Sequence, residues 1–239
     1  MKKTALITGG NGTIGSAIAK KLSSDYNIII TYNKSKSKAY NVLNNINSNK
    51  NKIIKVDLSS LKSIKKMFAI ISKEYETLDL LVNNASFTKQ ISVEDIDEST
   101  IQKIIELNFK SIFYCSREFL NFCDKTNDKN IINIGSNSVR TLNASNMIYI
   151  ACKSAIESLT KSFAKHYGEF VRVNCVNPGL VKSYLSKDFF DDRKKYVISK
   201  TPIKKLTTPN DIAEIVFNIV TNIKMLNGQC IDVDGGRTL

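Results

Sequence analysis

Three side chains carry most of the chemistry in this sequence: Ser136, Tyr149 and Lys153, with Asn108 upstream of them. On a helix, Tyr149 and Lys153 share one face, a turn apart. A lysine ammonium beside a phenol favours the phenolate and lowers its pKa, and each pKa unit is worth about 1.4 kcal/mol. A tyrosine tuned towards neutrality passes a proton to or from an alcohol or carbonyl oxygen. Ser136, on a strand end ahead of that helix, is placed to hydrogen-bond the same oxygen. Such a set suits a carbonyl/alcohol redox step, and that step needs a hydride carrier.

A site for the carrier lies at the other end of the chain. Residues 4–8 read as a short buried strand. Gly9, Gly10, Asn11, Gly12, Thr13, Ile14 and Gly15 follow, and then an amphipathic helix from Ser16 to Leu22. A strand, a glycine-rich turn and a helix N-terminus make a cradle for pyrophosphate. The glycines let backbone approach phosphate oxygens, and the helix end supplies N–H groups and partial positive charge.

The elements that must position these residues alternate along the chain. Strand-like runs lie near 4–8, 27–32, 52–56, 78–83, 130–135, 171–176 and 229–233. Helical stretches between them include Leu61–Tyr75, Asp95–Phe122, Tyr149–Tyr167 and Asn210–Asn222. The alternation predicts an α/β chain: one doubly wound (Rossmann) domain over 1–239, with a seven-stranded, mostly parallel sheet and helices on both faces. Ligands of such sheets bind at the carboxyl ends of the strands. The glycine turn, Asp57, Asn83, Ser136 and Pro178 each follow a predicted strand.

These motifs together resemble the classical, single-domain short-chain dehydrogenases/reductases. The matching residues are Thr8-Gly9 with Gly15, Asp57, Asn83-Asn84-Ala85, Asn108, Ser136, Tyr149 with Lys153, Asn174, Pro178-Gly179 and Asp234-Gly235-Gly236, in family order from about residue 4 to 236. The resemblance implies a catalytic set of Asn108, Ser136, Tyr149 and Lys153. Asn108 would kink its helix and hold a water linking Lys153 to solvent. Asp57, beside Leu58, would accept from the adenine amino group; Asn83, Asn84 and Ala85 would wall the adenine and ribose and tie neighbouring strands, with a purely structural Asn83 as the alternative. Lys153 would contact the nicotinamide ribose beside Tyr149. Beyond Pro178 and Gly179, Val181 and Ser183 would hold the carboxamide. The chain departs from the family pattern at three places. Thr13 stands where a middle glycine is usual, with Gly12 one position early; Ser86 and Arg140 each replace a frequent glycine.

The second strand bears on the choice of cofactor. An acidic residue at its end would hold the adenosine ribose hydroxyls and select NAD. This chain has Tyr32-Asn33-Lys34-Ser35-Lys36 instead, which favours NADP(H) over NAD(H), because the lysines suit a 2′-phosphate. The plainer alternative is that these lysines are solvated at a helix start.

Composition excludes several classes. Apolar residues make up 42% of the 239, enough for a core, but no run approaches the ~20 residues of a membrane span. The start imitates a signal peptide only as far as Gly9. Five scattered cysteines, without a CxxC pair, read as reduced cytoplasmic thiols. A single histidine, His166, cannot anchor a multi-histidine metal site, so no metal is expected. Lysine and arginine exceed acids by 35 to 22, a net charge of +13. The lysines are spread along the chain without interleaved aromatics, so no nucleic-acid or membrane partner is expected.

Specificity is expected from 86–96, 137–148 and a lid over 184–208. Ser86, Arg140 and Tyr184 are the candidate substrate contacts; Arg140 reads either as an anion binder at the cleft mouth or as a solvated loop residue. The leading substrate class is a small carbonyl or alcohol, sugar-like or acidic. The second is a carrier-linked 3-oxoacyl group, since 3-oxoacyl-carrier-protein reductases are similar in length and layout. Against that, the arginine pair of those reductases maps to Asn127 and Glu169. A third reading is a dinucleotide-sensing or scaffold protein without turnover. The resemblance also implies a homodimer or homotetramer, through the helices near 95–122 and 149–167.

Overall fold

A computed structural model describes residues 2–46, 50–126, 128–142, 146–183 and 190–239, the side chain of Asp192 excepted. Seven strands form one sheet: β1 (Lys3–Ile7), β2 (Tyr26–Tyr32), β3 (Lys52–Lys55), β4 (Leu80–Asn83), β5 (Lys129–Ile134), β6 (Val171–Pro178) and β7 (Cys230–Val233). Their spatial order is β3-β2-β1-β4-β5-β6-β7, and every neighbouring pair is parallel. Between the strands run α1 (Thr13–Leu22), α2 (Lys36–Asn44), α3 (Leu61–Ile71), α4 (Glu98–Ile105), α5 (Ser111–Phe122), α6 (Ser138–Thr141), α7 (Met147–Tyr167), α8 (Phe190–Lys200) and α9 (Pro209–Thr221).

The strands are near-continuous β-branched and leucine runs because both faces of the sheet are covered. Alternate residues feed two separate cores. Ala5, Ile7, Ile28, Ile30 and Val82 face α1 and α9; Leu6, Ile29, Leu81 and Ile131 face α3, α5 and α7. In α1, Gly15, Ile18, Ala19 and Leu22 are buried, the i, i+3, i+4, i+7 pattern of a helix with one apolar face. Each fully buried Ile or Leu there stabilises by roughly 1.5–3 kcal/mol relative to exposure. The partner helix α9 starts firmly: Thr208 and Asp211 form a reciprocal capping box with Pro209 in the first turn. It ends on Arg172 of β6, whose guanidinium donates to the carbonyls of Ile219 (3.1 Å), Ile223 (2.8 Å) and Leu226 (3.2 Å).

The site elements refine the sequence expectations. The stretch expected as one helix over 95–122 is α4 and α5 joined by a π-helical turn, Glu106–Lys110. The cause is Asn108: its buried Nδ2 donates to the Ile104 carbonyl (2.8 Å), taking a helical acceptor, and also to the Phe87 carbonyl (2.6 Å). Such bulges occur where a side chain enters the helical ladder. Asn83 is structural: its Nδ2 donates to Asn133 Oδ1 (2.9 Å) and Ser116 Oγ (3.1 Å), tying β4 to β5 and α5. In the region expected as a lid, α8 is helical, while 184–189 lies outside the described residues.

Candidate active site

A cavity of about 600 Å³ opens along the carboxyl ends of the strands, where a sheet of this winding places its ligand. At one end lies the glycine turn. Gly9 has φ +60°, and a Cβ there would meet Ala85 Cα at 3.0 Å, so backbone passes close to backbone. Gly12 N donates to Gly9 O (3.0 Å), closing the turn although the middle glycine comes early. Gly15 faces inward: a Cβ would come within 2.7 Å of Asn84 Nδ2 and Gly9 O. Helix α1 starts on Gly12 with no side-chain cap and no acid in its first turn, and Gly12, Thr13 and Ile14 line the cleft. An uncapped helix start facing a concave surface fits a pyrophosphate.

The neighbouring loops are held against this turn. Thr8 Oγ1 accepts from the backbone of Asn84 (2.9 Å) and Ala85 (3.1 Å), and Asn84 Nδ2 donates to Thr8 O (2.9 Å) and Gly9 O (3.1 Å). Asn11 Nδ2 reaches Ser35 O (3.3 Å). Tyr32, Asn33, Lys34 and Ser35 line the same end, with no carboxylate among them. Leu58 lines it too; the Asp57 carboxylate accepts from Ser59 N (3.0 Å) and Ser59 Oγ (2.7 Å) beside it. At the opposite end Pro178, Gly179, Val181 and Ser183 line the wall.

The structure brings the four candidate catalytic residues together there. Tyr149 lines the cleft with Ser136 and Ser86, close enough for both hydroxyls to act on its titration. Ser86 Oγ donates to Asn108 Oδ1 (2.5 Å), and Ser138 Oγ donates to Ser136 Oγ (2.8 Å). Ser136 is aimed by its backbone, whose N–H donates to Asn177 Oδ1 (3.1 Å). Lys153 is buried one turn along α7, its Nζ donating to Ile134 O (2.8 Å) and lying 5.6 Å from the Tyr149 ring centroid.

The electrostatics differ from expectation. Burial pushes the Tyr149 phenol up, and the hydrogen bonds from Ser136 and Ser86 oppose that rise. Lys153 is not what lowers it. Burial brings Lys153 itself from 10.5 down to about 8, because a desolvated ammonium is disfavoured. In this state Ser136 has its hydroxyl hydrogen to offer the Tyr149 oxygen, whereas Ser86 gives its own to Asn108.

Arg140 also differs. It does not line the cleft; its guanidinium is forked onto Glu157 (2.7 and 3.0 Å) and lies 3.4 Å from Asp232. Glu157 lies on α7 and Asp232 on β7, so Arg140 staples the serine loop to both. Tyr184 and Asn127 lie outside the described residues. Ser86, expected against substrate, links Asn108 to Tyr149. Three residues that the sequence reading did not single out as contacts, Lys103, Arg193 and Arg237, also line the cleft. Among the described residues no cluster of His, Cys, Asp and Glu could hold a metal ion, and no helix is long and apolar enough to cross a membrane.

Comparison with known proteins agrees with this geometry. The short chain dehydrogenase family model matches residues 3–194. The 3-oxoacyl-(acyl-carrier-protein) reductase FabG of Staphylococcus epidermidis is 30% identical over 99% of both chains. Two solved structures superpose closely, each covering 99% of this chain and 98% of its own, at 26% identity. One is a short-chain dehydrogenase from Burkholderia cenocepacia in complex with NADP, with a TM-score of 0.91. The other is a 3-ketoacyl-(acyl-carrier-protein) reductase from Brucella melitensis complexed with NADH, with a TM-score of 0.89. This chain therefore belongs to the short-chain dehydrogenase family, as an oxidoreductase that uses a nicotinamide dinucleotide on a carbonyl/alcohol couple.

Proposed function

We propose that this enzyme is an NADPH-preferring reductase of a small ketone, with Tyr149 as the proton donor. The observation that carries this reading is the meeting of Tyr149 with Ser136 and Ser86 at one end of a cleft whose other end is the glycine turn. The cofactor would lie on Gly9, Asn11, Gly12, Thr13 and Ile14, with its adenosine near Tyr32, Asn33, Lys34, Ser35, Asp57 and Leu58. Its nicotinamide would lie near Pro178, Gly179, Val181 and Ser183. When bound, it supplies the hydride that the carbonyl carbon takes up. Tyr149 gives its hydroxyl proton to the carbonyl oxygen, leaving a phenolate, and the product is a secondary alcohol. Ser136 donates a hydrogen bond to the oxygen as charge develops there. Asn108 positions Ser86, whose hydroxyl hydrogen turns from Asn108 Oδ1 to the phenolate that the transfer leaves behind. Lys153, protonated below about pH 8, supplies a nearby positive charge.

The preference for NADPH rests on the end of β2, where Lys34 stands and no acid does. A carrier-linked 3-oxoacyl substrate is the second reading. The relatives' names favour it; an exposed Glu169, where those reductases carry an arginine, weighs against it. An assembly of two or four copies is supported by the outer face of α5, where Phe113 is exposed and stacks on Phe163 of α7. A cytoplasmic location is supported by the absence of disulfides among the described cysteines. The test is NADPH and NADH oxidation with a panel of ketones, including a 3-oxoacyl thioester, diketones and ketosugars. Faster turnover with NADPH supports the proposal. Turnover of the thioester alone puts the carrier-linked reading first. No oxidation of either cofactor with any ketone counts against a reductase role.

A further inference from the structure

The catalytic end of the cleft is lined by cations. Among the described residues that line the cleft there is no Asp or Glu. Five cations line it: Lys34 at the adenosine end, Lys153 beside Tyr149, and Lys103, Arg193 and Arg237. Lys103 is occupied over the Phe87 ring, 4.3 Å from its centroid.

Arg237 follows β7 on a turn pinned to the serine loop. The Asp234 carboxylate accepts from Arg237 N (3.2 Å), and also from Asn137 Nδ2 (3.2 Å), next to Ser136. Gly179 packs against the same turn, since a Cβ on it would stand 3.1 Å from Asp234 Cα. Arg237 therefore sits at the catalytic end, away from Lys34. Arg193 comes from α8, one turn before Val197, which also lines the cleft.

The Arg237 guanidinium is partly buried, and among the described residues no hydrogen bond or ion pair engages it. Burial first, and then Arg193, push its pKa down, while Tyr196 and Asp234 push it up, so the two arginines repel each other and Asp234 offsets part of that. A partly desolvated guanidinium without a partner is costly, and a second cation beside it adds to the cost. In a concave, weakly screened site the same pair concentrates positive potential, and a guanidinium fork matches carboxylate or phosphate oxygens two at a time.

We propose that Arg237, with Arg193, forms an anion subsite at the catalytic end of the cleft that takes a carboxylate or phosphate carried by the carbonyl substrate. This rests on the reductase reading above and names the substrate class for the same site. It also moves the anion-binding role away from Arg140, which Glu157 and Asp232 engage.

The test uses matched pairs: acetoacetate against its ethyl ester, and dihydroxyacetone phosphate against dihydroxyacetone. Binding is measured calorimetrically to the NADPH-loaded Tyr149→Phe protein, so that affinity is read without turnover, and then again with Arg237→Gln or Arg237→Lys added. At least one anion should bind about tenfold or more tightly than its neutral partner, as expected for hydrogen bonds to a charged group. Arg237→Gln should abolish that preference, and Arg237→Lys should keep part of it. Which pair responds distinguishes carboxylate from phosphate. The proposal is overturned if neither anion is preferred, or if the preference survives Arg237→Gln. It is also overturned if that variant weakens NADPH about tenfold, which would assign the fork to the cofactor's own phosphates. Wild-type protein that oxidises no NADPH with any ketone, yet binds an anion through Arg237, would refute the reductase reading and leave the subsite standing.

Discussion

Replacing Lys153 with Met should reveal a buried charge that burdens the fold on behalf of the site. Lys153 is fully enclosed, and burial lowers its pKa from 10.5 to about 8. The sign follows from proton counting. Between about pH 8 and 10.5 the unfolded lysine holds a proton that the folded one does not. Stability therefore rises with pH across that window, and the burden is fully present below pH 8. At about 1.36 kcal/mol per unit, the wild type should gain roughly 3 kcal/mol on the Met variant between pH 7 and pH 10.5. Losses that do not vary with pH, such as the bond to Ile134 O, cancel in that difference. Urea unfolding of both proteins at the two pH values reads it directly, provided the slopes agree. A stability gap that stays constant, or one that moves against the wild type as pH rises, would refute the claim that Lys153 carries a desolvated charge.

Other outcomes follow from the same geometry. Ser86→Ala removes a hydroxyl that opposes the rise in the Tyr149 pKa, so the acidic limb of alcohol oxidation, where Tyr149 must lose its proton, should move to higher pH; an unchanged pH profile would leave Ser86 with a packing role only. Gly15→Ala forces a methyl group to within 2.7 Å of Asn84 Nδ2 and Gly9 O, so stability should fall by about 1–3 kcal/mol and NADPH binding should weaken, both measurable by thermal shift with and without cofactor. Lys34→Glu should raise the Kd for NADPH about tenfold or more relative to NADH, measured by fluorescence titration.

Much of the fold was legible because a parallel sheet buried on both faces writes each strand as an apolar run. The runs near 27–32 and 130–135 became β2 and β5 within a residue at each end. The catalytic set was legible for a different reason: Tyr149 and Lys153 are fixed by helical spacing alone. The resemblance implies a kink at Asn108, but its π-helical form at 106–110 is not legible in the sequence, because it depends on Asn108 meeting Phe87, a contact distant in sequence. The pKa of Tyr149 was misjudged because spacing shows a neighbouring charge but not desolvation, which acts on both groups. Arg140 and Arg237 show the limit most clearly. The first lies in the short helix α6 and the second in the turn after β7, and only the folded structure shows that Glu157 and Asp232 occupy the first while the second enters the cleft. The composition offered no signal that separated them.

The most direct test of the central claim compares wild type with Tyr149→Phe in two readouts on the same samples, NADPH affinity and NADPH oxidation by the best ketone. The chain contains no tryptophan, so fluorescence of bound NADPH can be followed against little protein background. If Tyr149 is the proton donor, the variant should bind NADPH with an affinity within about tenfold of wild type and lose about 10²–10⁴-fold in kcat. A variant that binds NADPH equally well and still reduces the ketone within tenfold of the wild-type rate would contradict the account.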